Sequence, residues 1–203
     1  MPNLTVIAGP NGSGKSTLIR YLQVQKIAFG SYINADDIAK EQGLSGETGS
    51  KKAQQIADKQ REHCLLSLED FSFETVMSHA SKPIFMEAAR KMGFHVTLYF
   101  VCIDNPQTNV SRVNYRVQHG GHDVPEDRIL ARYHRTLELL PRAINASDRA
   151  VLFDNSVDRN TDIAATMRPV LSFERNAQGV IIADFQDRVP HWANRALAKL
   201  ETQ

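Results

Sequence analysis

Gly9 to Ser16 read G-P-N-G-S-G-K-S and fit the GxxxxGK[ST] pattern of a phosphate-binding loop. In that chemistry Gly9, Gly12 and Gly14 admit turn conformations closed to other residues and leave room for a polyphosphate. Pro10, Asn11 and Ser13 complete the loop, whose N–H groups point at phosphate oxygens from a helix start. Lys15 then reaches the β and γ phosphates, Ser16 presents a hydroxyl to Mg²⁺, and Thr17 offers a second hydroxyl. An ordinary glycine-rich turn with a solvated lysine would leave the Lys-Ser-Thr run unexplained. The loop predicts binding of nucleotide phosphates.

Carboxylates come next. Asp36 and Asp37 follow a strand-like run, at the end of the strand where open α/β sheets bind ligands. There a carboxylate accepts the proton of an attacking hydroxyl or holds Mg²⁺ through water. Either residue could instead cap a helix beginning near Ile38, and spacing alone does not choose between them. Glu74 closes the run F-S-F-E-T, facing the same cleft as an acceptor for a substrate hydroxyl, a water-mediated magnesium ligand, or a cap for the next turn. Thr75 and Ser78 extend that loop as weaker substrate candidates, since Ser and Thr recur in loops for local reasons.

From Arg112 to Arg149 seven arginines occur without a lysine. Arg112 and Arg116 share one helix face, opposite Val110, Val113 and Val117, and such a face can close over a triphosphate. A forked guanidinium neutralises a transferring phosphoryl group better than an ammonium does. A solvated face with buried stems is the plain alternative, and it weighs more for Arg128 and Arg132. His119 and His122 flank two glycines in H-G-G-H; they lack partners for zinc and fit a lid.

These side chains need a scaffold, and the chain alternates strand-like with helix-like runs, the signature of a parallel sheet flanked by helices. Strands are expected at Leu4 to Ala8, near Ser31 to Asn34, near Phe71 to Glu74, from His95 to Ile103 and from Ala150 to Phe153. Between them fall helices over about 51–69, with Ala53, Ile56, Ala57, Cys64, Leu65 and Leu68 inward, and over about 83–93, with Ile84, Phe85, Ala88, Ala89 and Met92 inward. A helix over about 106–118 is followed by a longer one from Pro125 to about Asn145 that Pro141 should kink or end, and a lid insert spans about 105–135. A hairpin turning at Asn176 to Gly179 and a final helix fill about 168–203. The prediction is one domain with a five-stranded, mostly parallel sheet.

The 203 residues suffice for such a domain, and 24 basic against 23 acidic residues leave a formal charge of +1. That balance gives no net field for nucleic acid or an acidic membrane. Cys64 and Cys102 lack metal-ligand spacing and are expected to be reduced. The apolar run from Leu4 is too short for a leader or a membrane span, so the protein is expected to be cytoplasmic.

With G-P-N-G-S-G-K-S-T, I-N-A-D-D-I, F-E-T and R-V-N-Y-R-V-Q-H-G-G-H-D-V-P in this order, the chain resembles the zeta toxin family of P-loop kinases over roughly Leu4 to Ser156. The resemblance implies a P-loop NTPase fold, similar in core to nucleoside monophosphate kinases, and use of ATP with Mg²⁺. Characterised toxins phosphorylate the 3′-hydroxyl of the sugar in UDP-N-acetylglucosamine, so a nucleotide sugar and an antitoxin protein are the implied partners. By this resemblance Lys15 is the loop lysine, Ser16 the magnesium hydroxyl, Asp36 the catalytic aspartate and Glu74 the substrate-binding glutamate. The first lid arginine falls on Arg112 or Arg116, and the second is met by His122, Arg128 or Arg132. Asn155 falls on the adenine side. After Glu74 the family's glycine-rich stretch ending in arginine is replaced by T-V-M-S, with Ser78 in the arginine's place, which removes a charged contact to a sugar diphosphate.

The resulting expectation is a magnesium-dependent ATP kinase acting on a small hydroxyl-bearing molecule. Two rivals remain: a nucleotide switch or regulatory ATPase read by a protein partner, and an RNA-end kinase, which the balanced charge disfavours.

Overall fold

The computed structural model describes residues 1–119, 123–156, 167–176, 178–179, 181–185 and 189–198. Its strands form a single sheet in the order β2-β3-β1-β4-β5-β6-β7. These are β1 (Asn3–Ala8), β2 (Ser31–Ile33), β3 (Phe71–Thr75), β4 (His95–Cys102), β5 (Arg149–Asp154), β6 (Arg168–Arg175) and β7 (Ile181–Phe185). The first five pair in parallel, whereas β6 adds antiparallel to β5 and β7 antiparallel to β6. The expected five-stranded parallel core is present, and the hairpin extends the same sheet to seven strands.

Both faces of the parallel strands are covered, which explains why β1 and β4 read as nearly unbroken apolar runs. Parallel register sets which side chains share a face: Leu4 lies opposite Phe71 and Val96, and Thr5 opposite Ser72 and Thr97. One face buries Ile7, Tyr99, Val101, Val151 and Phe153 under helix α1 (Lys15–Val24), whose Leu18 and Leu22 point inward. Each such leucine contributes about 1.5–3 kcal/mol relative to exposure. The opposite face packs Val6, Phe73, Leu98, Phe100 and Leu152 beneath α3 (Gly46–Ser67), α4 (Ser81–Lys91) and α6 (Glu126–Asn145). Two further helices, α2 (Ala35–Glu41) and α5 (Pro106–Gln118), flank the carboxyl ends of the strands.

Three helix expectations need correction. In α4 the buried stripe is Pro83, Met86 and Ala89, while Ile84 and Met92 are exposed; the helix is rotated so that the i, i+3 row beginning at Pro83 meets the sheet. Leu68 is the left-handed C-cap of α3 and is exposed, because the helix ends one residue before it. α6 reaches Asn145 as expected, but Pro141, buried inside it, does not end it; a proline removes only its own N–H from the ladder, and packing of Leu140, Ala143 and Ile144 holds the turn that follows.

The last helix, α7 (His191–Leu197), docks by its first turn. The backbone N–H of Trp192 donates to Asp104 Oδ1 at 2.8 Å, and the indole Nε1 donates to Asp154 Oδ1 at 3.1 Å. Trp192 is fully buried and stands against Phe100 with ring centroids 5.7 Å apart.

Candidate active site

The phosphate loop links β1 to α1 at the carboxyl edge of the sheet. Its conformation depends on glycine where neighbours crowd the backbone. Gly12 has φ +73°, and a Cβ there would meet the Asn109 carbonyl oxygen at 2.5 Å; Gly14 has φ +103°, and a Cβ would meet Asn155 Nδ2 at 2.3 Å. Gly14 is also the N-cap of α1 and supplies no side-chain acceptor; its carbonyl accepts from the Thr17 N–H at 3.0 Å, which leaves the N–H groups of Lys15 and Ser16 to meet an anion. Around the loop the buried atoms Asn11 Oδ1, Ser13 Oγ and Asn109 Oδ1 lack hydrogen-bond partners. Crowded glycines, uncapped donors and unpartnered polar atoms in one small region fit a nucleotide polyphosphate.

Lys15 is the centre of the site. It is 9% exposed, and its Nζ donates to the carbonyls of Gly9 at 3.0 Å and Pro10 at 3.2 Å, with Glu74 Oε1 at 3.8 Å. Burial pushes its pKa below the ordinary lysine value; Glu74 and Asp36 oppose that shift, and Arg116 and Arg132 reinforce it. Four other residues singled out in the sequence thus act electrostatically on Lys15. Removing solvent from an ammonium between two acids and two guanidinium groups makes its charge available to phosphate oxygens at little reorganisation cost.

The acidic side is built by β2, β3 and the start of α2. Neither aspartate caps α2: the N-cap is Asn34, whose Oδ1 accepts from the Asp36 N–H at 2.9 Å. Asp36 and Asp37 occupy the first turn and are exposed, where carboxylates complement the helix dipole. Glu74 accepts from the Tyr32 hydroxyl at 3.4 Å. The Thr75 hydroxyl accepts from the Met77 N–H at 3.0 Å, a local turn bond that answers for a threonine there, and Ser78 is half-buried in the same loop.

On the basic side, Arg112 Nη2 donates to the Asn155 carbonyl at 3.2 Å, while Arg116, one turn on, is exposed. Arg128 is exposed; Arg132 is half-buried, and burial, then Arg128 and Arg135, lower its pKa. A cluster of like charges is poised to gain from an anion. Asn155, expected beside an adenine, instead has its side chain on the loop backbone, donating to the Ser13 carbonyl at 2.8 Å. His122 and the two glycines before it lie outside the described residues.

The sequence model of a family described as "Zeta toxin" matches residues 1–165. The chain belongs to the zeta toxin family. It is similar to an uncharacterized protein of Haemophilus influenzae, 30% identical over 128 residues, which is 62% of this chain and 88% of that one. In fold it is similar to a structure from the PezAT chromosomal toxin–antitoxin system of Streptococcus pneumoniae, at 14% identity and TM-score 0.56, covering 100% of this chain and 85% of that one. A structure of AvrRxo1-ORF1:-ORF2 with ATP is similar at 15% identity and TM-score 0.62, covering 86% of this chain and 59% of that chain. As a zeta toxin family member the chain is a kinase-type phosphotransferase on a P-loop fold. No helix among the described residues is long and apolar enough to cross a membrane.

Four residues of this zeta toxin site were not singled out in the sequence. Asn109 of α5 is fully buried and its Nδ2 donates to the Asn11 carbonyl at 2.6 Å. Thr136 of α6, also fully buried, donates to the Val76 carbonyl at 2.8 Å, pinning the loop that follows Glu74. Tyr32 and Asn34 touch the acids directly. A signal existed for Asn34 alone, since Asn before an acidic first turn is a helix N-cap pattern.

Proposed function

We propose that the chain transfers the γ-phosphoryl group of ATP to a hydroxyl of a small molecule. The observation that carries this reading is the position of Lys15: its Nζ lies on the loop carbonyls and 3.8 Å from Glu74, with Asp36, Arg116 and Arg132 acting on the same charge. Donor-side cations and acceptor-side acids meet at one atom.

Lys15, Arg116 and Arg132 neutralise the transferring group, and the uncapped N–H groups of α1 hold the remaining phosphate oxygens. Ser16 would hold Mg²⁺, which would offset the charge of the phosphate oxygens. Asp36 accepts the acceptor's proton, and Glu74 orients its hydroxyl by hydrogen bonding. Arg112, Asn109 and Asn155 brace the loop. Arg128 extends the basic ridge of α6, while Asp37, Thr75 and Ser78 line the acceptor side.

A nucleotide sugar such as UDP-N-acetylglucosamine is the acceptor that family membership favours, and Ser78 in place of an arginine would weaken the grip on its diphosphate. An antitoxin is the corresponding protein partner, as in the PezAT system, and the cytoplasm is the compartment where ATP and such acceptors meet. The test is ATP consumption measured against UDP-sugars, nucleosides and polyols. Stoichiometric transfer to one of them, lost in Lys15→Ala, supports the kinase; hydrolysis indifferent to every acceptor but responsive to a protein supports a regulatory ATPase instead.

A further inference from the structure

The two acids of the site are joined through side chains that the roles above leave out. Asn34 uses both ends of its carboxamide: Oδ1 accepts from the Asp36 N–H at 2.9 Å, and Nδ2 donates to the Tyr32 hydroxyl at 3.2 Å. Tyr32 in turn donates to Glu74 Oε2 at 3.4 Å, and the other oxygen of Glu74 faces Lys15 Nζ at 3.8 Å. Hydrogen bonds thus run from the Asp36 backbone through Asn34 and Tyr32 to Glu74, which forms an ion pair with Lys15.

Sheet register explains how a tyrosine comes to fill this place. Tyr32 pairs with Ser72, two residues before Glu74 on the same face of β3. A diagonal neighbour of this kind lies about 7 Å away, within reach of an aromatic side chain and beyond a short polar one. Phe29 supports the ring edge-on with centroids 6.2 Å apart. A hydroxyl is also the group required, because it must accept from Asn34 and donate to Glu74 at once. The 3.4 Å step is long for a hydrogen bond between oxygens, as such bonds are before a substrate closes the site.

We propose that Tyr32 and Asn34 are positioning residues of the phosphotransfer site, fixing Glu74 relative to Asp36 and Lys15 so that the proton acceptor and the hydroxyl-orienting group keep one register. The idea rests on the kinase reading for its effect on turnover. The contact itself has a separate signature: burial and the Glu74 charge both push the Tyr32 phenol upward in pKa, with a smaller contribution from Asp37, while the Asn34 hydrogen bond opposes them.

Two experiments test it. In the first, ATP consumption is measured with water alone and with UDP-N-acetylglucosamine for wild type, Tyr32→Phe, Asn34→Asp and the double variant, alongside binding of a fluorescent ATP analogue. Phe keeps the ring contact with Phe29, and Asp keeps the cap of α2 while losing the Nδ2 donor. The expected result is a turnover loss of about tenfold or more in each single variant, analogue affinity within about twofold of wild type, and a double variant no worse than either single one. In a Glu74→Gln background Tyr32→Phe should then cost nothing further. Additive losses, or Asn34→Asp with wild-type turnover, would overturn the relay. In the second experiment tetranitromethane nitration is mapped by mass spectrometry, since that reagent attacks phenolates. Glu74→Gln should speed nitration of Tyr32 severalfold and leave Tyr115 unchanged; an unchanged Tyr32 rate sinks the contact. If the wild type consumes no ATP with this sugar, the sugar is not the acceptor, while the nitration result still decides the contact.

Discussion

Asn155 Nδ2 donates to the Ser13 carbonyl at 2.8 Å across 142 residues of sequence, and the same nitrogen lies where a Cβ on Gly14 would stand. The end of β5 thus clamps the phosphate loop from behind. Asn155→Ala removes a buried donor and leaves the Ser13 carbonyl unpaired, which costs about 1–3 kcal/mol of stability. Thermal unfolding should show that loss, and ATP affinity should fall with it. Gly14→Ala should be worse, because it adds a clash to a left-handed backbone position.

Lys15 should make nucleotide binding depend on alkaline pH. Its folded-state pKa lies below the ordinary lysine value, so in the window between the two the unfolded chain carries more protons, and stability rises with pH across it. Bound phosphates act in the opposite sense, favouring the charged ammonium. ATP binding should therefore take up protons above pH 8, where the phosphates are fully ionised, and weaken by up to about tenfold per pH unit beyond the free-state pKa. Calorimetry in two buffers of different ionisation enthalpy measures this uptake, and Lys15→Met should abolish it.

The aspartates separate by what they act on. Asp36 contributes to the field at Lys15, whereas Asp37 acts on Tyr32. Asp36→Asn should lower phosphoryl transfer by about 10²–10⁴-fold, the range for a lost general base, with ATP affinity little changed. Asp37→Asn should cost less than about tenfold. Equal effects in steady-state assays would show that Asp36 is not the base.

Thr136 offers a stability test away from the chemistry. Its buried hydroxyl holds the Val76 carbonyl at 2.8 Å, so Thr136→Val should cost about 1–3 kcal/mol. At about 2–4 °C per kcal/mol for a chain of this size, calorimetry should record a fall of several degrees. Thr136→Ser, retaining the hydroxyl, should recover most of it.

Much of the site was legible because its chemistry is local. The loop is contiguous, and Lys15, Asp36 and Glu74 each sit at the end of a recognisable strand or the start of a helix. Asn109 and Thr136 were hidden for the opposite reason: each answers a backbone carbonyl supplied by a distant segment, and nothing in the neighbouring residues announces such a partner. The bond from Asn155 to the loop went unforeseen on the same ground, since a carboxamide after a strand looks alike whether it faces a base or a loop. Arg112 and Arg116 show the limit of face arguments. Helical spacing put them together, yet one turn separates an arginine engaged with the Asn155 carbonyl from one exposed and acting on Lys15. The phase of α4 was misjudged because its apolar residues exceed what one buried stripe can hold, leaving the choice to packing.

Trp192 is the only tryptophan of the chain, and its indole is bonded to Asp154, the residue before Asn155. The one indole of the chain therefore lies a single hydrogen bond from the residue next to the clamp on the phosphate loop. Its emission is an optical gauge of that clamp, readable without a label.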